Sequence, residues 1–210
     1  MTLSTANYEY RYVDGNSTNA HQYLTKPLLS LLKDKKLLNG AKILDLGCGN
    51  GSLSNTLYQQ GYKVTGIEES PSGINFARRN FPECQFIQGS IYDFSLPQFI
   101  NYFDAVVSVE VIEHLFYPKE LVRQAHKYLK PGGTLIITTP YHGYWKNLAL
   151  ALSGKMDNHF HALWDGGHIK FFSVNTLQKL LEVEKFTDVK FEFAGRCPFL
   201  WKSMLSSSSK

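Results

Sequence analysis

From Ala41 onward the sequence repeats one rhythm: a short run rich in β-branched and aromatic residues, then a stretch whose apolar side chains recur with helical spacing. The runs are AKILDL, KVTGIE, CQFIQG, FDAVVSV, GTLIITT and DVKFEFA. Strands that alternate with helices pair in parallel, because a parallel neighbour needs a crossover that packs back onto the sheet. The rhythm therefore predicts an α/β fold: a three-layer, doubly wound, mainly parallel sheet. With 210 residues the chain fits one domain with a sizeable core.

The intervening helices carry their own start and stop signals. Ser70-Pro71 offers a cap and a first-turn proline ahead of GINFARRN. Pro118 opens KELVRQAHKYLK, whose Leu121, Val122, Ala125 and Leu129 share one face, and Pro131-Gly132-Gly133 is expected to stop it. Ser173 caps VNTLQKLLEVE. Upstream, AHQYLTKPLLSLLKDKKLL reads as one or two helices covering an edge, and the terminal SSSSK reads as a frayed tail or a weak last strand.

Composition narrows the function classes. Apolar residues make up 43% and charged residues 19%, which suits an ordinary globular chain. The net charge of +4 comes from scattered lysines with no dense basic block, so nucleic acid is not an expected partner. No apolar segment approaches the ~20 residues of a membrane span. The polar start MTLSTANYEYRY lacks the apolar core of a signal peptide, so a cytoplasmic address is expected. Cys48, Cys84 and Cys197 are odd in number and lack C-x-x-C spacing, which reads as reduced thiols.

The stretch KILDLGCGNGSLS joins a strand to a helix through glycines, so backbone amides and a helix N-terminus can approach a ligand closely. A dinucleotide fingerprint needs glycine at its first, third and sixth places. Here Gly47, Gly49 and Gly51 are spaced by two, and Ser52 takes the sixth place. Asp45 would repel a pyrophosphate but can pair, directly or through water, with an ammonium. The loop suits a zwitterionic ligand without phosphate.

Asp45-x-Gly47-x-Gly49-x-Gly51 resembles motif I of the class I S-adenosylmethionine-dependent methyltransferases, and GSIYDF, FDAVVSVEVIEHL and LKPGGTLIITTP are similar to later motifs in the same order. The likeness is strong from Ala41 to Pro140 and is nearest to the ubiquinone-biosynthesis O-methyltransferase branch, whose E-V-x-E-H signature recurs at Glu110 to His114. A further run, GGHIKFFSVNTL, is similar to that branch's late histidine and aromatic segment. The resemblance implies a seven-stranded, Rossmann-like methyltransferase fold with S-adenosylmethionine as cofactor, and a small-molecule acceptor methylated on a hydroxyl oxygen.

It also implies site residues. Asp45, Gly47, Cys48, Gly49, Gly51, Glu68, Glu69, Ser90, Ile91 and Val109 would surround the cofactor, with Glu68 accepting from the ribose diol. Ser90 stands where the family often has an acidic residue beside the adenine amino group. By the same likeness the chain divides into a helical cover (1–40), a cofactor-binding core (41–140), a substrate lid or insertion (141–172) and a C-terminal helix with strands (173–210).

For acceptor activation the sequence leaves two routes. Glu110, Glu113 and His114 offer oxygen and imidazole ligands suited to Mg²⁺ or another divalent cation, which would lower a hydroxyl's pKa. Alternatively His168, with Asp165 near enough to orient it, or His114 is the general base. His142, His159 and His161 share that segment, so sequence alone singles out no proton acceptor.

Tyr141, Tyr144, Trp145, Phe160, Trp164, Phe171 and Phe172 would supply an apolar wall or lid. YWKNLALALSGKM also has the form of a short helix able to rest weakly on a membrane surface. In the N-terminal stretch a tyrosine cluster, Arg11, His21 and Lys26 are available to close over the cofactor or acceptor. Two other functions stay open at this level, an NAD-dependent oxidoreductase and a non-catalytic S-adenosylmethionine-binding protein. Oligomeric state is not written in these residues.

Overall fold

The computed structural model describes residues 10–12, 19–160 and 162–210. Its helices are α1 (Asn19–Asp34), α2 (Ser52–Gln59), α3 (Pro71–Asn80), α4 (Pro118–Tyr128), α5 (Tyr144–Leu152), α6 (Asp157–Phe160) and α7 (Val174–Val183). The strands are β1 (Lys42–Leu46), β2 (Lys63–Glu68), β3 (Gln85–Gln88), β4 (Phe103–Val109), β5 (Leu129–Pro140), β6 (Thr187–Ala194) and β7 (Ser203–Ser209). They form one seven-stranded sheet in the order β3-β2-β1-β4-β5-β7-β6. The first five are parallel, and β7 runs antiparallel to both β5 and β6.

Neighbouring residues on each central strand bury to opposite sides, which is why the runs read as continuously apolar. Ile43, Val107 and Ile136 join α1, α2 and α3 in one core; Leu44, Val106 and Ile137 join α4 and α7 in the other. The expected three layers follow.

Side-chain caps mark two of the helix starts. The Ser70 hydroxyl accepts from the Gly73 amide at 3.1 Å with Pro71 behind it. Ser173 and Thr176 form a reciprocal capping box at the head of α7. In α1, which is one helix with Pro27 inside it, Leu24, Leu28 and Leu32 repeat every four residues and are almost wholly buried. This helix packs against α2, β7 and β6, so it covers part of a face and not merely an edge.

Two expectations change. Lys130 to Gly133 belong to β5, with the Gly132 amide bonded to the Lys210 carbonyl at 3.0 Å, so α4 ends at Tyr128 before the proline. Of the two readings of the serine-rich terminus the strand holds and the frayed tail does not, and β7 lies inside the sheet, between β5 and β6, with Ser206, Ser207 and Ser208 buried. Serine is a poor strand former by itself, but pairing on both sides satisfies its backbone, and its small side chain fits beneath the covering helices.

Candidate active site

The sheet reverses direction of growth between β1 and β4, the switch point where open α/β sheets bind ligands beyond the carboxyl ends of their strands. The loop after β1 forms the floor there. Its Gly47 and Cys48 amides both donate to the Ile67 carbonyl, at 2.8 and 3.0 Å, which ties the glycines to the end of β2. Gly47 has φ 78°, and a Cβ there would lie 2.6 Å from a Val111 methyl. Glycine at this place lets the loop and the β4 exit approach each other.

Glu68, the last residue of β2, holds the loop from above. Its carboxylate accepts from the Gly49 amide at 3.0 Å and the Ser70 amide at 2.8 Å, linking the glycine loop to the head of α3. Burial raises its pKa, and these backbone donors pull the other way. Asp45 lies beneath, 1% exposed, taking the Ser54 hydroxyl at 2.6 Å. Burial pushes its carboxyl up to about 7, with the Glu68 charge adding to the rise. The Glu68 charge is felt at Asp45, and such an acidic pair favours a positively charged ligand.

Other expected cofactor residues surround this floor. Cys48 is buried against Gly66, and Gly51 caps α2 in a left-handed conformation. Ser90 donates to the Glu69 carboxylate at 3.3 Å, Ile91 is buried, and Val109 closes β4 beside Thr138.

Tyr12 is a contact the sequence only hinted at through its tyrosine cluster. Its hydroxyl would stand 2.6 Å from a Cβ on Gly49, and its amide donates to Ser72 Oγ at 3.1 Å. The Ser70 hydroxyl donates to the Tyr10 carbonyl at 2.8 Å, so residues 10–12 strap across the loop and the start of α3. Burial and the nearby Glu68 charge raise the Tyr12 pKa, keeping the phenol neutral. His21 meets Ser52 Oγ at 3.2 Å on the far side of the loop.

A second cluster stands beyond β4. Glu110 turns with φ 54°, after which a 3-10 turn carries Ile112 to His114. Residues 164–170 are clasped to that turn. The Ile169 and Lys170 amides both donate to the Glu113 carbonyl at 2.9 Å, and His114 Nδ1 lies 2.8 Å from the Gly166 carbonyl. The clasp delivers His168, whose Nε2 is 3.9 Å from Glu113 Oε1.

Ligand atoms of Glu113, His114 and His168 all lie within 4.8 Å of one another. Glu113 is fully buried; its Oε2 takes the Thr139 hydroxyl at 3.0 Å, while among the described residues Oε1 has no hydrogen-bond partner. Burial and then the Glu110 charge raise its pKa well above the carboxylate range. Because a carbonyl only accepts, His114 Nδ1 carries the proton there and Nε2 keeps its lone pair.

Glu110 is set apart from this trio. Its two oxygens take the hydroxyls of Thr138, at 2.8 Å, and Ser203, at 3.2 Å, and Ser203 in turn meets the Tyr23 hydroxyl at 2.9 Å. Of the expected ligands Glu110, Glu113 and His114, the structure thus groups the last two with His168, the residue expected as a base. The carboxylate it brings to His168 is that of Glu113. Thr139 and Ser203 were not foreseen, since single hydroxyls on buried strands carry no sequence signal.

The aromatic segment divides. His142 is packed edge-on against Phe171 and stacked on Phe160, and burial followed by the Lys146 charge depresses it to about 4. Trp164 packs on both His114 and His168, whereas Tyr144 and Trp145 face outward. His161 lies outside the described residues, as do 1–9 and 13–18 of the N-terminal stretch.

Residues 17–190 match the family model described as "Methyltransferase domain". The chain belongs to this family. Among relatives of the methyltransferase domain, the mitochondrial ubiquinone biosynthesis O-methyltransferase of Schizosaccharomyces pombe is 30% identical over 119 residues, covering 53% of this chain and 42% of that protein. The ubiquinone biosynthesis O-methyltransferase of Xanthomonas campestris pv. campestris is 32% identical over 134 residues, covering 61% and 56%. The chain therefore spans about half the length of the curated relatives it matches.

In fold, the methyltransferase domain is similar to magnesium protoporphyrin IX methyltransferase from Synechocystis PCC 6803, solved with bound SAH. The TM-score is 0.71 at 18% identity, covering 95% of this chain and 90% of that one. Among the described residues no helix is long and apolar enough to cross a membrane.

Proposed function

We propose that this methyltransferase domain transfers the methyl group of S-adenosylmethionine to a hydroxyl oxygen of a small-molecule acceptor. The observation that carries the reading is the glycine loop at the β1/β4 switch point, pinned by Glu68 through the Gly49 and Ser70 amides. The residues fit the donor: Glu68 at the loop and Asp45 buried beneath it make an acidic floor whose ionised form a nearby ammonium or sulfonium would stabilise, and neither would welcome a pyrophosphate. The matched family and relatives are methyltransferases, and nothing in them supports an oxidoreductase.

S-adenosylmethionine supplies a methyl group already activated by a positive sulfur. The protein's task is then to orient donor and acceptor and to exclude water. Glu68 and the glycine loop would fix the nucleoside end, with Ser90, Ile91 and Val109 bounding it and Tyr12 closing the loop side. Residues 141–172 would cover the acceptor.

Glu113, His114 and His168 fit a divalent cation, on the strength of the buried Glu113 Oε1, which among the described residues accepts no hydrogen bond, and the two imidazoles. A cation held there supplies positive charge that lowers a hydroxyl's pKa. Thr139 would orient the Glu113 carboxylate, and the Gly166 carbonyl would fix the His114 tautomer. Without a cation, His168 is the group suited to take the acceptor proton.

The test is transfer of labelled methyl from S-adenosylmethionine into a pool of hydroxylated metabolites, with and without chelator. Incorporation into a small molecule is expected, together with loss on chelation. Absence of transfer to any acceptor would contradict catalysis, and transfer indifferent to chelator would leave His168 as the base.

A further inference from the structure

The turn that carries Glu113 and His114 begins at a residue in an uncommon conformation. Glu110 has φ 54°, a left-handed backbone that a residue with a Cβ adopts only at a cost. Glycine makes such a turn more easily. Here the side chain itself holds the conformation. The Glu110 amide donates to the Thr138 carbonyl at 3.2 Å and to Thr138 Oγ1 at 3.1 Å, and that hydroxyl donates back to Glu110 Oε1 at 2.8 Å. The next residue of β5, Thr139, donates to Glu113 Oε2 at 3.0 Å. Neighbours on a strand point to opposite faces, so two adjacent buried threonines grip the two glutamates of the turn from opposite sides of the sheet.

The other Glu110 oxygen leads away from the trio. Oε2 accepts from Ser203 Oγ at 3.2 Å, and Ser203 Oγ lies 2.9 Å from the Tyr23 hydroxyl. A serine hydroxyl has one proton. Because Ser203 gives that proton to the carboxylate, the Tyr23 phenol donates to Ser203, and the chain runs one way from α1 to the exit of β4. Burial raises the Tyr23 pKa, so the phenol keeps the proton it donates. Its ring also lies under the Lys202 ammonium, 5.1 Å from the centroid. Hydrogen bonds in such a series polarise and strengthen one another.

Tyr23 stands near the start of α1, two residues after His21, which meets Ser52 Oγ at 3.2 Å at the head of α2. Residues two apart on a helix point in different directions. One helix start therefore reaches the glycine loop through His21 and the exit of β4 through Tyr23.

We propose that Tyr23 is a positioning residue for the acceptor side of this methyltransferase domain: acting through Ser203 and Glu110, it fixes the turn that presents Glu113 and His114. The proposal rests on the reading of Glu113, His114 and His168 as the acceptor-activating centre. Loss of the Tyr23 hydroxyl loosens that turn and removes no member of the trio. The donor end, held by Glu68 and the glycine loop, is left as it was.

The experiment compares Tyr23→Phe, Ser203→Ala and the double variant with the parent, each as the full chain. Three measurements are made: Mn²⁺ uptake by equilibrium dialysis with the electron paramagnetic resonance spectrum of the bound ion, S-adenosylhomocysteine affinity by calorimetry, and labelled methyl transfer into hydroxylated metabolites. Each single variant is expected to weaken Mn²⁺ binding by about tenfold, the lower end for a partner standing behind a ligand. Each should broaden the Mn²⁺ spectrum and lower kcat, with KM for S-adenosylmethionine and S-adenosylhomocysteine affinity unchanged. The double variant should match Ser203→Ala, because Tyr23 acts through that hydroxyl.

Tyr23→Phe with parental Mn²⁺ affinity and kcat overturns the proposal, and so does a double variant whose losses simply add. Loss of S-adenosylhomocysteine affinity in step with kcat would show general loosening and overturn it as well. The parent by itself tests the underlying reading. A parent without methyl transfer counts against the proposed reaction, while the Mn²⁺ comparison still decides the role of Tyr23; a parent without Mn²⁺ uptake leaves the ratio of kcat values to decide it. A parent that shows neither has no such centre, and the proposal falls with it.

Discussion

The Nδ1 of His114 lies 2.8 Å from the carbonyl oxygen of Gly166, a contact between residues 52 positions apart. It fixes which nitrogen of His114 bears the proton and holds the glycine pair Gly166-Gly167 so that His168 arrives beside Glu113. If this trio takes a divalent cation, equilibrium dialysis with Mn²⁺ should give one ion per chain. His168→Ala or Glu113→Gln is expected to weaken uptake by at least ~100-fold, since each removes a direct ligand where an outer partner alone costs about 10- to 100-fold. Equal uptake by parent and variants would place the ion elsewhere.

The fit of Tyr12 over Gly49 makes a steric prediction. Alanine at 49 meets both a left-handed backbone, φ 56°, and the Tyr12 hydroxyl at 2.6 Å. Gly49→Ala should destabilise the chain by about 1 to 3 kcal/mol. Tyr12→Ala should relieve the contact but not the backbone cost, giving a coupling of roughly 1 kcal/mol in a double-mutant cycle by denaturant unfolding. Strict additivity would mean that residues 10–12 do not rest on the loop in solution.

Asp45 sets a pH dependence. Its carboxyl ionises near 3.8 in the unfolded chain and at about 7 in the folded one, chiefly through burial. Between these values the folded chain holds a proton that the unfolded chain has lost, so stability falls as pH rises through the interval and levels off above it. The raised pKa of Glu68 acts with the same sign. The Asp45 contribution is at most about 4 kcal/mol. Thermal melts should show Asp45→Asn losing less stability than the parent from about pH 5 to about pH 8. Parallel pH profiles would show that Asp45 is not buried as a carboxylate beneath the loop.

The strand-helix rhythm, the caps at Ser70 and Ser173 and the glycine loop were legible because each is encoded within a few neighbouring residues. What escaped depends on distant pairing. SSSSK reads equally as a frayed tail or a weak last strand, and only the pairing of Met204 to Ser209 with Thr134 to Thr139 of β5 on one side and with β6 on the other makes it an inner strand. The grouping of His168 with Glu113 and His114 likewise rests on a clasp between segments that no local pattern joins. Removing residues 203–210 should therefore abolish cooperative unfolding by circular dichroism, because β6 loses its attachment to the sheet. A truncated chain that still melts cooperatively would show the sheet closing without β7.

The most direct test of the account is a calorimetric titration of the full chain with S-adenosylhomocysteine, repeated with NAD. One-to-one binding of the nucleoside, weakened about 100-fold in Glu68→Ala and with no heat from NAD, is the predicted result. No binding of S-adenosylhomocysteine, or NAD binding that Glu68→Ala removes, would contradict it.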